Sequence, residues 1–140
     1  VSFGSSNTNL NVAVASGEVV FGITNHYYMH NLKKETPDLN LVQTVFAPGD
    51  AGALVNVAGA GVLVTSTQPG LAQRLVLFLL GGEAQSYFTE VTSEYPLVVG
   101  IETNPNLIPL DTLVQPNLDL SNLDDLQTTL EMIEASGALD

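Results

Sequence analysis

The chain has 140 residues, of which 45% are hydrophobic, enough to build the core of one ordinary domain. Its 15 acids stand against three bases, Lys33, Lys34 and Arg74, for a formal net charge of -12; this excludes a phosphate-neutralising nucleic-acid role and disfavours docking on an anionic membrane. It holds no cysteine, so disulfides, thiolate metal sites and cysteine nucleophiles are excluded as well.

Val1 to Phe3 reads as the end of a strand. Asn7 to Ser16 reads as a helix, with Asn7 as its N-cap, Leu10, Ala13 and Val14 as its apolar stripe, and Gly17 as the residue that closes it. Val19 to Thr24 is a continuous apolar run of buried-strand type. Asn25 can cap the next helix, His26 to Glu35, which Thr36-Pro37 stops. Leu39 to Phe46 is the next expected strand, and Pro48-Gly49-Asp50 is a turn. Ala51 to Val64, rich in Gly, Ala and Val, suggests further strands with a bulge or kink at Gly59 or Gly61.

A helix begins at Ser66 or Thr67, carries Leu71, Leu75, Phe78 and Leu79, and ends at Gly81-Gly82. A second follows from Glu83 to Thr89, and Tyr95 to Val99 is extended. Prolines at 105, 109 and 116 mark residues 102–119 as an irregular crossing segment. The last helix starts at Ser121, with Asp124 completing a box-like cap. Its stripe is Leu123, Leu126, Leu130 and Ile133, and Gly137 ends it. Helices that alternate with buried-type strands give the class α/β. The longest apolar run, Leu75 to Leu80, is far too short to cross a bilayer, and no signal peptide is evident. The chain begins at Val1 rather than Met, as expected of a processed or truncated piece.

The residues with most to say about chemistry are Asn25-His26-Tyr27-Tyr28, set directly after an apolar run. Two adjacent tyrosines bring two phenol oxygens to one place. Neutral phenol is a poor ligand, because its pKa is about 10. A highly charged cation displaces the proton, and hard cations select oxygen donors. The pair therefore suits a hard ion such as Fe³⁺. The alternative is that both are amphipathic residues at a strand–helix junction. Asn7 and Asn25 both stand where a strand gives way to a helix, so each can cap that helix or donate to a bound anion.

His26 and His30 share the spacing of the two histidines in zinc-protease motifs, but Tyr27 stands where the general base belongs. A metal-dependent hydrolase is thus a poor fit, and no paired carboxylates or nucleophile elbow replace it. Gly49-Asp50-Ala51-Gly52-Ala53 lacks both the Lys of a phosphate-binding loop and dinucleotide spacing, and reads as a tight turn.

Taken in order, several short segments resemble the C-terminal half of bacterial ferric-iron-binding proteins, the substrate-binding subunits of Fe³⁺ ABC importers. They are Ala15-Ser16-Gly17-Glu18-Val19, Asn25-His26-Tyr27-Tyr28, residues 49–59 (Gly49 to Gly59), Glu83-Ala84-Gln85-Ser86-Tyr87-Phe88 and Glu94-Tyr95-Pro96-Leu97. The likeness runs from about Asn7 to Leu139. It implies a type II periplasmic-binding-protein fold, of which this chain would hold the C-terminal half with pieces of both lobes, closing on ligand by hinge motion. Residues 1–56 and 109–140 are then expected in the C-terminal lobe and residues 57–108 in the N-terminal lobe.

The resemblance implies binding rather than catalysis. Tyr27 and Tyr28 would hold Fe³⁺ as phenolates. Asn7 and Asn25 would contact a synergistic anion, phosphate or carbonate. The remaining ligands, a histidine and a glutamate, would come from the other half. The implied partners are an ABC transporter permease and either that N-terminal half or a second copy, since the remnants would expose sheet edges. The implied location is periplasmic or extracellular, with lipid anchoring through an upstream segment as one route. A solute-binding protein for another small ligand, such as an anion or organophosphonate, is the alternative within the class.

Overall fold

A computed structural model describes residues 6–117 and 125–137. The expected strand end at Val1 to Phe3 and the Ser121–Asp124 cap lie outside the described residues. Contacts divide the chain into two units, one of residues 1–45 and 56–112, the other of residues 46–55 and 113–140.

The first unit holds four helices: α1 (Asn7–Ser16), α2 (His26–Glu35), α3 (Pro69–Leu79) and α4 (Gly82–Glu90). Helix α1 packs on α2, and α3 on α4. Ser6, not Asn7, caps α1: its hydroxyl accepts the Asn9 N–H at 3.1 Å, so Asn7 takes the first helical position. The far end closes as expected. Gly17 sits at φ 78°, its N–H reaches Val14 O, and Glu18 N–H reaches Ala13 O. That is a Schellman closure, which requires the left-handed conformation that glycine adopts without a Cβ penalty. Helix α3 starts at Pro69, later than expected, because proline suits the first turn, where its missing N–H is not needed.

The interior of this unit is small and half polar. Met29, Leu41, Ala84 and Leu107 are its buried apolar residues; Asn11, Gln85, Thr89 and Ser93 are buried beside them. Hydrogen bonds carry much of the organisation. Gln85 donates to Leu79 O and accepts from Leu97 N–H, both at 2.7 Å. Thr89 Oγ1 accepts the Asn104 N–H at 2.8 Å. Lys34 Nζ donates to the carbonyls of Glu90 and Val91 at 3.1 and 2.6 Å, where a cation meets the negative end of α4. The His26 ring reaches Ser93 O at 2.8 Å, across 67 residues of sequence. A carbonyl only accepts, so Nε2 carries the proton.

In the second unit a short 3₁₀ turn, Ala51–Ala53, is capped by Asp50, whose Oδ1 accepts the Gly52 N–H at 2.7 Å. The Phe46 ring lies so close to Gly52 that a Cβ there would meet it at 2.5 Å. Gly49 N–H bonds Val114 O at 3.0 Å. Helix α5 (Leu126–Ala135) is capped by Asp125, which accepts the Thr128 N–H at 2.9 Å. That bond, with the Thr128 hydroxyl behind it, holds the Asp125 carboxyl below its usual pKa. Gly137, at φ 68°, follows the helix end as expected. The described part of the apolar stripe of α5 stays open: Leu126, Leu130 and Ile133 are all exposed.

The expected strands are the main difference. No described residue belongs to a strand; Val19 to Thr24, Leu39 to Phe46, residues 54–63 and Tyr95 to Pro96 run without a sheet partner. The α/β class therefore does not appear among the described residues. The physical reason is visible in the side chains. Val20, Val42, Val64 and Val99 are between 86% and 101% exposed, although each lies in a segment expected as strand or extended chain. Buried-type strands need neighbours on both edges and cover on both faces. The described chain provides neither. No helix among the described residues is long and apolar enough to cross a membrane.

Two outcomes test this description. Thr89→Val keeps the shape and removes the acceptor of the Asn104 N–H; it should destabilise the chain by about 1–2 kcal/mol in denaturant unfolding. Burial lowers the His26 pKa below 6.5, outweighing the Ser93 hydrogen bond, which raises it. The unfolded chain then binds the proton more readily, so stability is full above about pH 7 and falls as pH drops through 6.5 toward the lowered value. Unfolding midpoints measured across that window should show the loss, and His26→Gln should remove it.

Candidate metal site

The tyrosine pair sits in the first turn of α2. Asn25 is the N-cap residue by backbone, with φ -68° and ψ 140°, but its side chain makes no cap. Instead Asn25 Nδ2 donates to Tyr27 Oη at 3.0 Å. An amide N–H on a phenol oxygen favours the phenolate. The Tyr27 and Tyr28 rings lie 4.6 Å apart between centroids, tilted by 39°. Both side chains are half-buried, and Asn25 is exposed.

The Tyr27 phenol is nevertheless held above its ordinary pKa. Desolvation leads, followed by its hydrogen bond to Tyr28; Asn25 pulls the other way. Metal-free, Tyr27 keeps its proton at neutral pH. A cation that bound the Tyr27 oxygen would have to displace its proton.

Around the pair stands a set of rings. His26 lies 5.6 Å from Tyr27, 5.2 Å from Tyr95 and 6.2 Å from His30. Tyr95 is fixed by its hydroxyl, which donates to Ile108 O at 2.5 Å, and burial raises its pKa. His30 Nε2 meets Gln43 Oε1 at 3.2 Å. The two histidines do share one face, as their spacing predicts, but each has a polar partner, Ser93 or Gln43. Among the described residues no three His, Asp or Glu side chains cluster as metal ligands. The hydrolase reading gains no support from this geometry.

Of the four expected site residues, three come together: Asn25, Tyr27 and Tyr28. Asn7 lies in the first turn of α1, which packs on α2. Two residues near this region had no sequence signal. Asn11, 5% exposed, accepts from Thr24 at 3.3 Å, while its Nδ2 is buried without a partner. Ser93 is fully buried at φ 62°, with its hydroxyl unpartnered. Neither residue type announces such a position; a glycine or asparagine at 93 would have.

No protein-family model matches the chain. Individual proteins do. The Fe(3+)-binding periplasmic protein of Serratia marcescens is 32% identical over 132 residues, which are 92% of this chain and 39% of that protein. The major ferric iron-binding protein of Neisseria meningitidis serogroup B is 31% identical over 127 residues, 89% of this chain and 38% of that one. Iron uptake protein A2 of Synechocystis is 36% identical over 119 residues, 79% of this chain and 34% of its own length. Among solved structures, iron-bound HitA from Pseudomonas aeruginosa matches with a TM-score of 0.89 and 36% identity, over 97% of this chain and 44% of that chain. The chain shares the fold of the matched part of HitA, and over most of its own length and about two fifths of theirs it is a homologue of the ferric-iron-binding and iron-uptake proteins.

Proposed function

We propose that this chain is the C-terminal half of an extracytoplasmic solute-binding protein that captures ferric iron for an ABC importer. The observation that carries the proposal is the Asn25–Tyr27–Tyr28 group: two phenol oxygens at one helix start, one already accepting an amide N–H, in a homologue of ferric-iron-binding proteins. The role is binding and transfer, with iron as cargo and a permease as the receiver. The periplasm is the fitting compartment, since one relative is named for it.

In this reading Tyr27 and Tyr28 bind Fe³⁺ as phenolates. Asn25 has two roles, a donor to the Tyr27 oxygen and, with Asn7, a contact for phosphate or carbonate beside the metal. Helix α2 has no side-chain cap at its N-terminus, which suits an oxyanion there. Residues 1–56 and 109–140 belong to one lobe of the whole protein and residues 57–108 to the other. The bare valines at 20, 42, 64 and 99 support a surface that further chain covers, and the extended segments bearing Val20 and Val42 become strands when it does.

Adding ferric nitrilotriacetate should produce a visible tyrosinate-to-iron band and release protons. Tyr27→Phe and Tyr28→Phe should each remove much of the band and weaken binding roughly 100-fold, about 2.7 kcal/mol. A protein carrying all the segments of its relatives that shows no band, with both variants binding iron unchanged, overturns the reading. Without its cover the 140-residue chain should bind a hydrophobic dye and self-associate; elution as a dye-negative monomer counts against that part.

A further inference from the structure

Ser93 departs from expectation twice. It is the one non-glycine residue at positive φ among the described residues, at 62°, and its buried hydroxyl has no partner. Both features cost stability, and neither gives the side chain a contact. What this backbone does present is its carbonyl, aimed at His26 Nε2 and 2.8 Å from it. The segment around it is braced on α4: Thr92 Oγ1 and Glu94 N–H both bond Phe88 O, at 2.8 and 2.9 Å. One position on, Tyr95 is anchored to Ile108 O and packs 5.2 Å from the same imidazole.

His26 is therefore held by the segment after α4, and it immediately precedes the tyrosine pair. Its ring meets Tyr27 edge-on, at 5.6 Å and 74°, and Tyr27 in turn stacks on Tyr28. A ring fixed by a hydrogen bond fixes the χ angles of its residue, and with them the first turn of α2. We propose that the Ser93 carbonyl, presented by a left-handed backbone, latches His26 and so sets the direction in which Tyr27 and Tyr28 point. His26 and Ser93 are positioning residues, not ligands. The latch orients the pair with or without metal; its value for binding rests on the ferric reading above. A pair of donors with one preset geometry loses less freedom on closing around an ion.

The test uses the whole 140-residue chain with carbon-13-labelled tyrosine, and ferric nitrilotriacetate as the probe. Tyr27→Phe and Tyr28→Phe assign the ring resonances. In the metal-free chain His26→Phe should move both, because a phenyl ring cannot donate to Ser93 O. His26→Gln, whose amide can, should return them. With iron, His26→Phe should displace the charge-transfer maximum and weaken binding roughly 10- to 100-fold, as removal of an outer support does. His26→Gln should recover most of both.

Unmoved tyrosine resonances in His26→Phe overturn the proposal. So does a His26→Gln chain that shifts them as far as His26→Phe does. Where His26→Phe fails to fold, His26→Gln decides alone: unaltered positions support the latch and displaced ones sink it. Resonances that respond as expected leave the latch standing, and it is the absence of a ferric band in a protein carrying all the segments of its relatives that then removes the iron reading.

Discussion

Extended backbone needs a neighbour, and that constraint decides what this chain forms. A helix satisfies its N–H and C=O groups within itself, so α1 to α5 stand on local bonds and caps. An extended segment must find its partners elsewhere. Here the segments richest in valine and isoleucine find none among the described residues, and their side chains face solvent. The first unit is held instead by polar ties on α4 and α2: Gln85, Thr89, Lys34 and His26 each bond backbone far along the chain. Backbone–side-chain bonds of this kind are specific in direction, but each contributes only about 1 kcal/mol net.

The helices were legible because their punctuation is local. Gly17 and Gly137 mark closures that only a left-handed residue makes, and Pro69 marks a first turn. The caps were less so: a hydroxyl at Ser6 took the place read for Asn7, since either residue type serves there. Strand character was read from burial pattern, and burial pattern reports an environment that includes partners. Val20 carries the pattern of a covered sheet, yet among the described residues it is 95% exposed.

The site divided along the same line. Adjacent tyrosines behind an asparagine can be seen in any linear reading, and the resemblance gave them a role. What encloses them could not be seen. Ser93 lies 67 residues from His26, its φ is not encoded by its residue type, and the contact is to its carbonyl, which every residue has. The bond from Asn25 to Tyr27 was equally hidden, because an asparagine at a helix start reads as a cap, and only geometry shows its amide turned to the phenol. That turn changes the local chemistry: an N–H donor now offsets part of the desolvation that keeps the phenol protonated.

Helix α2 is tied to one short stretch of chain at both of its ends. His26 holds Ser93 at one terminus, and Lys34 holds Glu90 and Val91 at the other. At a rise of 1.5 Å per residue these ties stand about 12 Å apart along the axis. A rod fixed at one point can swivel; fixed at two, it cannot roll or slide without carrying its support. Residues 90–93 and α2 are therefore coupled at two points. A displacement of the end of α4 would act on the first turn of α2, where Tyr27 and Tyr28 sit.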